Sequence, residues 1–211
     1  TLCGNTGTVS STLKRAGGIV GSLNGTVTKC FNTGDITGIF ALGGIVGSIN
    51  AKGAKVEDCY NLGDVACITP TKEFSDTNAK GVGGVVGDAT SASYTVTLTN
   101  CYNAGNVTNT ATTPTDITVG GVIGSSVVKS SSSETKNVIT ADNCYYLAQV
   151  GLKGDGADAS ASGVTAKTDA ELKSEDMPGL LGGSYVADAE GGYPILSWQD
   201  PTAKYTVTFT L

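Results

Sequence analysis

Cys59-Tyr60-Asn61-Leu62-Gly63-Asp64-Val65 decides the fold, because the chain repeats it. It reads Cys30-Phe31-Asn32-Thr33-Gly34-Asp35-Ile36 upstream and Cys101-Tyr102-Asn103-Ala104-Gly105-Asn106-Val107 downstream. A weaker copy is Cys144-Tyr145-Tyr146-Leu147-Ala148-Gln149-Val150, and a truncated one, Cys3-Gly4-Asn5-Thr6-Gly7-Thr8-Val9, opens the chain. A second block alternates with the first: Gly17-Gly18-Ile19-Val20-Gly21, then Gly43–Gly47, Gly83–Gly87 and Gly120–Gly124. Ala16, Leu42, Val82 or Val119 precedes it, and Val27, Val56 or Leu98 stands three residues before a Cys.

The cysteines of the first block are spaced by 27, 29, 42 and 43 residues. A period of this size marks a solenoid or a propeller, and a propeller blade of roughly 40–45 residues does not fit in the shorter intervals. Stacked coils tolerate extra residues, because each coil needs only its strands in register with its neighbours. The Thr-, Ser-, Asp- and Pro-rich stretches 66–80, 108–117 and 125–137 therefore read as loops inserted between coils. The predicted fold is all-β: a parallel β-helix of four to five coils over residues 1–150, right-handed by the usual preference of parallel crossovers.

Within the first block, Cys, Asn, Gly and Val/Ile fall at offsets 0, +2, +4 and +6, one face at the strand period of two. This face is expected to point inward. It would stack a Cys ladder (Cys3, Cys30, Cys59, Cys101, Cys144), an Asn ladder (Asn32, Asn61, Asn103) and a Val/Ile ladder. A buried Asn row is tolerable if each amide bonds to the next. The other face carries Phe31, Tyr60, Tyr102 and Tyr145, and also Asp35, Asp64, Asn106 and Gln149.

Composition agrees. The chain has 211 residues, and its 30 glycines are about twice ordinary usage. Charged residues are 15%, and helix formers are sparse before residue 167. Thirteen basic against nineteen acidic side chains give a net charge of −6. With no basic cluster, this argues against nucleic acid as a partner. No run of 18 apolar residues is present, which argues against a membrane span. Histidine is absent, which excludes catalytic triads, Cys-His pairs and HExxH zinc sites. The chain has no start Met, signal peptide or anchor and reads as a monomeric segment of something longer.

The paired blocks, GGIVG followed by CFNTGDITG or CYNLGDV, resemble the GLUG-motif repeat. That family occurs in large secreted or wall-attached bacterial proteins, among them non-catalytic regions of immunoglobulin A-cleaving peptidases. The resemblance covers residues 1 to about 150. The closing stretch from Ala166 to Trp198 also looks like the tail that follows such repeats. It implies an extracellular, structural or adhesive module: a stiff spacer, or a platform for host glycan or surface protein.

Residues 151–200 are expected to form a cap over the open end of the coils. Thr168-Asp169-Ala170-Glu171 fits a capping box, predicting a helix over 169–176 that Pro178 stops. Gly191–Trp198 reads as a turn and an apolar strand, with Trp198 packed on the last coil. Residues 201–211 read as a linker or the first strand of a following domain.

Candidate chemistry is thin. Five phased cysteines cannot all pair, so a reduced core ladder is expected, with unphased Cys67 as the disulfide candidate. Asp35 and Asp64 at equivalent places on adjacent coils are weak Ca²⁺ candidates, or else each caps its turn amides. Lys153-Gly-Asp155-Gly-Ala-Asp158 lacks the glycine and glutamate of an EF-hand and reads as a plain loop. The row Phe31, Tyr60, Tyr102, Tyr145 is the candidate ligand surface, suited to stacking on sugars or burial in a partner. No cofactor and no catalytic residue is expected. The alternative is a carbohydrate-active β-helix of lyase or glycosidase type, or its binding module, with carboxylates drawn from Asp35, Glu57, Asp58 and Asp64. The only arginine, Arg15, stands in no cluster that would favour it.

Overall fold

The computed structural model describes residues 1–69, 80–89, 95–112, 117–129, 134–136, 138–157 and 161–202. Most of the expected loop 66–80, parts of 108–117 and 125–137, and nearly all of the tail 201–211 lie outside these residues.

The protein is almost entirely β, and its main sheets are parallel. Each sheet collects one position of the repeat. The Cys-Tyr-Asn segments form a six-stranded ladder: Gly4–Asn5, Phe31–Asn32, Tyr60–Asn61, Tyr102–Asn103, Cys144–Leu147 and Val164–Lys167. Register follows the repeat, with Phe31 opposite Tyr60, Tyr60 opposite Tyr102, and Tyr102 opposite Tyr145. Val9–Ser10, Ile36–Gly38, Val65–Cys67 and Val107–Asn109 make a second ladder. Thr26–Thr28, Lys55–Glu57, Thr95–Thr99 and Val138–Asp142 make a third. The glycine-rich blocks form an eight-stranded sheet that doubles back through its longest strand, Thr118–Ser125.

The corners explain some of the sequence. The residue before each of the five phased cysteines has positive φ: Leu2, Lys29, Asp58, Asn100 and Asn143 lie between 49° and 55°. Asp and Asn tolerate this left-handed conformation better than other non-glycine residues. In the last rung the same corner is Gly163, at φ 75°.

The interior has two apolar lobes. One gathers Val27, Val46, Val56, Val85 and Leu98 around Cys30, Cys59, Cys101 and Cys144. The other gathers Ile36, Leu42, Val65, Val82 and Val107 with Cys67. The Asn row meets the glycine blocks between them. A Cβ on Gly18, Gly44 or Gly84 would lie 2.5, 2.2 or 2.3 Å from Cγ of Asn32, Asn61 or Asn103. The two repeated motifs are thus two halves of one contact, and the second glycine is required because an amide occupies the space of its side chain.

Three expectations change. The pairing runs past residue 150: Lys153–Asp155, expected as a loop, pairs with Thr118–Ser125 as a degenerate glycine block, and Val164–Lys167 pairs with Cys144–Leu147. Asp158 of that stretch lies outside the described residues. The single helix over 169–176 is instead two short helices, α1 (Asp169–Leu172) and α2 (Met177–Leu181). The capping box is present, with Glu171 N–H donating to Thr168 Oγ1 at 3.3 Å and Thr168 N–H donating to Glu171 Oε2 at 2.7 Å. Pro178 sits in the first turn of α2, where its missing N–H costs nothing, and does not end α1. Third, residues 169–199 do not close the far end of the stack. They run back along its flank as a strap, over the outer face of the Cys-Tyr-Asn ladder.

Candidate functional site

The outer face of that ladder carries the aromatic row. Phe31 and Tyr60 stack with ring centres 5.6 Å apart at 16°, and Tyr60 and Tyr102 at 5.1 Å and 7°. Adjacent parallel strands are about 4.8 Å apart, so rings at one repeat position stack by register alone. Tyr145 continues the row half-buried, with Lys167 Nζ 5.6 Å from its ring centre.

The strap covers these rings. Leu172, Met177, Leu181, Tyr185 and Leu196 are buried against Tyr60 and Tyr102, which are 2% and 0% exposed. Tyr102 donates its hydroxyl hydrogen to the Pro194 carbonyl, and Tyr60 donates to Gln199 Oε1 at 3.0 Å. Burial pushes Tyr60 up to about 12 and raises Tyr102 and Tyr185 well above the ordinary phenol value. The expected ligand contact therefore fails for Tyr60 and Tyr102: their faces and hydroxyls belong to the protein itself. Phe31 and Tyr145, at the ends of the row, keep partial exposure. Trp198 also departs from expectation. It packs on Phe31 near the first rung of the ladder, at 5.7 Å and 44°, and its indole N–H donates to Lys29 O at 3.2 Å.

The strap also reads the corners. Ser184 Oγ donates to Asp58 Oδ2 at 2.7 Å, and Tyr185 donates to Asn100 O at 2.8 Å. Asn100 Nδ2 in turn donates to Asp58 Oδ1 at 2.9 Å. Sequence reasoning missed this row, although an Asp or Asn just before Cys59, Cys101 and Cys144 was its signal.

The inward ladders form as chains of bonds. Asn5, Asn32 and Asn61 each donate twice, and Asn103 once, to Gly105 O at 2.9 Å. Asn32 Nδ2 donates to Gly34 O and to Asn61 Oδ1, both at 2.7 Å. Asn61 Nδ2 donates to Gly63 O and to Asn103 Oδ1, again at 2.7 Å. Asn5 starts the chain with a 2.7 Å bond to Asn32 Oδ1. Tyr146 takes the next position and fills it with a buried ring lying against Gly121.

The cysteines are all free. Cys30, Cys59, Cys101 and Cys144 are fully buried and each donates to the carbonyl two residues before it, at 3.1–3.4 Å. Cys3, at the open end of the row, is exposed. Cys67, the disulfide candidate, is a buried thiol donating to Ile39 O at 2.6 Å, and burial pushes its pKa up to about 11.

Asp35 and Asp64 do stand on adjacent repeats, and one oxygen of each is engaged along the ladder. Asp64 N–H donates to Asp35 Oδ1 at 3.0 Å, and Asn106 N–H to Asp64 Oδ1 at 2.8 Å. Each carboxylate thus accepts the amide of its successor, the capping alternative, extended from turn to turn. Among the described residues, no group of three or more Cys, Asp or Glu is placed to hold a metal ion.

A cleft of about 330 Å³ opens on the strap's outer side, bounded by Lys173, Glu175, Asp188, Gly192 and Pro194. Two of its charged groups, Lys173 and Asp188, serve the strap. Lys173 Nζ lies 2.9 Å from Asp169 and 4.7 Å from the Tyr193 ring centre, and Asp188 Oδ1 accepts Glu190 N–H at 3.2 Å.

Neither a protein-family model nor a curated protein matches the chain, so the GLUG resemblance rests on its motifs alone. Among solved structures, the chain is similar to a protein of Bacteroides ovatus provisionally named an immunoglobulin A1 protease. The TM-score is 0.57 and the identity 22%, over 93% of this chain and 56% of that one. Identity this low speaks for the fold alone. The chain spans just over half the length of that structure and shares its architecture there.

Proposed function

We propose that the chain is a non-catalytic structural segment of a bacterial surface protein, secreted or wall-attached. It would form a right-handed parallel β-helix of four to five coils and serve as a stiff scaffold, a spacer or a platform for host glycan or protein. The observation that carries this reading is how the constant side chains of the repeat are used. The Asn amides bond to one another, the Asp carboxylates cap the next turn, and the central Tyr rings are held by the strap. A residue type repeated from turn to turn for axial bonding is explained without a ligand. Handedness follows the general rule for parallel crossovers, and the fold likeness to a bacterial protein agrees with the proposed setting.

The test is turnover. Purified protein incubated with a panel of plant, bacterial and host polysaccharides is expected to release neither reducing ends nor unsaturated products. Turnover abolished by Asp35→Asn, Glu57→Gln, Asp58→Asn or Asp64→Asn would overturn the scaffold reading in favour of a carbohydrate-active enzyme.

A further inference from the structure

A stack of coils held only by nearest-neighbour contacts is quasi-one-dimensional, and its terminal units open independently of its centre. The described ladders have this character. Their side-chain bonds join residues 27 to 46 apart in sequence, one coil to the next.

The strap adds contacts of another order. Tyr102 to Pro194 spans 92 residues, Ser184 to Asp58 spans 126, Tyr60 to Gln199 spans 139 and Trp198 to Lys29 spans 169. It leaves the last rung at Lys167, enters α1, crosses the corner row at Asn100 and Asp58, and ends beside Phe31. One continuous segment thus touches the first-coil side and the last rung, and its apolar side chains fill the aromatic row between them.

We infer that residues 169–199 act as an axial clamp that couples the early coils to the late ones, so that the stack opens as one unit. This deepens the scaffold reading, because a clamped stack is stiff over its whole length. Polysaccharide turnover would overturn that reading and leave the clamp standing.

Native-state hydrogen exchange on the whole chain tests it. Two amides report: Phe31 N–H, bonded to Cys3 O at 3.0 Å, and Tyr102 N–H, bonded to Cys59 O at 3.1 Å. In the parent they are expected to exchange within about tenfold of each other, as members of one cooperative unit do. The double variant Trp198→Ala/Gln199→Ala releases only the clamp's outer end. Phe31 should then exchange at least about 100-fold faster and Tyr102 less than about tenfold faster, because the end coil regains independence. Equal acceleration at both amides overturns the clamp, since the strap would then add only general stability. A parent in which Phe31 already exchanges about 100-fold faster than Tyr102 overturns it as well.

Discussion

Replacing Asn61 by Ala measures what the amide ladder contributes. Asn61 is 0% exposed and makes three side-chain bonds of 2.7 Å: one accepted from Asn32, one donated to Gly63 O and one donated to Asn103 Oδ1. Each is worth roughly 1–1.5 kcal/mol net, and the orphaned groups add a desolvation penalty because no water replaces the lost partner. The expected loss is about 4 kcal/mol. Asn5→Ala is the internal reference. It makes the same two donations, to Gly7 O and Asn32 Oδ1, but at the half-exposed end of the row. Water can replace those bonds, so its cost should be about 1 kcal/mol. With a urea slope of about 2 kcal/mol/M, the midpoint should fall by about 2 M for Asn61→Ala and about 0.5 M for Asn5→Ala, at unchanged slope. A third variant, Asn61→Asp, keeps the shape but turns a donor into an acceptor facing two oxygens. It should be worse than Ala at pH 7 and gain on Ala as acid restores a donor. Equal midpoints for Asn61→Ala and Asn5→Ala would refute the reasoning, since burial would then add nothing to the ladder.

Gly44→Ala places a methyl 2.2 Å from Asn61 Cγ and 2.2 Å from Gly84 O, so it should cost at least about 3 kcal/mol in thermal unfolding. Gly179→Ala in α2 meets nothing within 4 Å and should instead stabilise by about 0.5–1 kcal/mol. Lys29→Gly relieves a non-glycine residue at φ 55° and should raise stability by about 1 kcal/mol, its carbonyl still available to Trp198. Tyr60 sits at about 12 in the folded state against 10.0 unperturbed. Its contribution is therefore fully present below about pH 10 and lost as pH rises through about 12. Absorbance titration of the phenolates should show Tyr60, Tyr102 and Tyr185 ionising only with unfolding, while simultaneous ionisation of all tyrosines in the folded protein would contradict their burial.

The ladders were legible because identity repeated at a fixed phase leaves little choice. The period-two offsets placed Cys, Asn and Val inward, and the structure puts Cys59, Asn61 and Val65 there at 0% exposure. Two features were not legible, for different reasons. Lys153–Asp155 and Val164–Lys167 keep the backbone pairing of the repeat but none of its side chains, and parallel hydrogen bonds leave no trace in residue identity. The strap was visible as apolar residues near the end of the chain, but what they cover was not. An outward row of Phe31, Tyr60, Tyr102 and Tyr145 fits a sugar surface and a buried seam equally well on sequence alone. The count of large side chains offered a hint: Leu172, Met177, Leu181, Tyr185, Leu196 and Trp198 need an apolar counterpart, and the outward aromatic row of the repeat supplies one.

The course of the strap determines how the molecule carries load. Trp198 lies beside Phe31 and Lys29, while Leu2 N–H bonds to Thr28 O one coil away. Handles fixed at residues 1 and 202 would therefore sit at the same end of the stack. Tension between them would peel the Trp198 seam and shear the first rung before it reached Tyr102 or any rung beyond. The far rungs would stand off the line of force like a sail beside its mast.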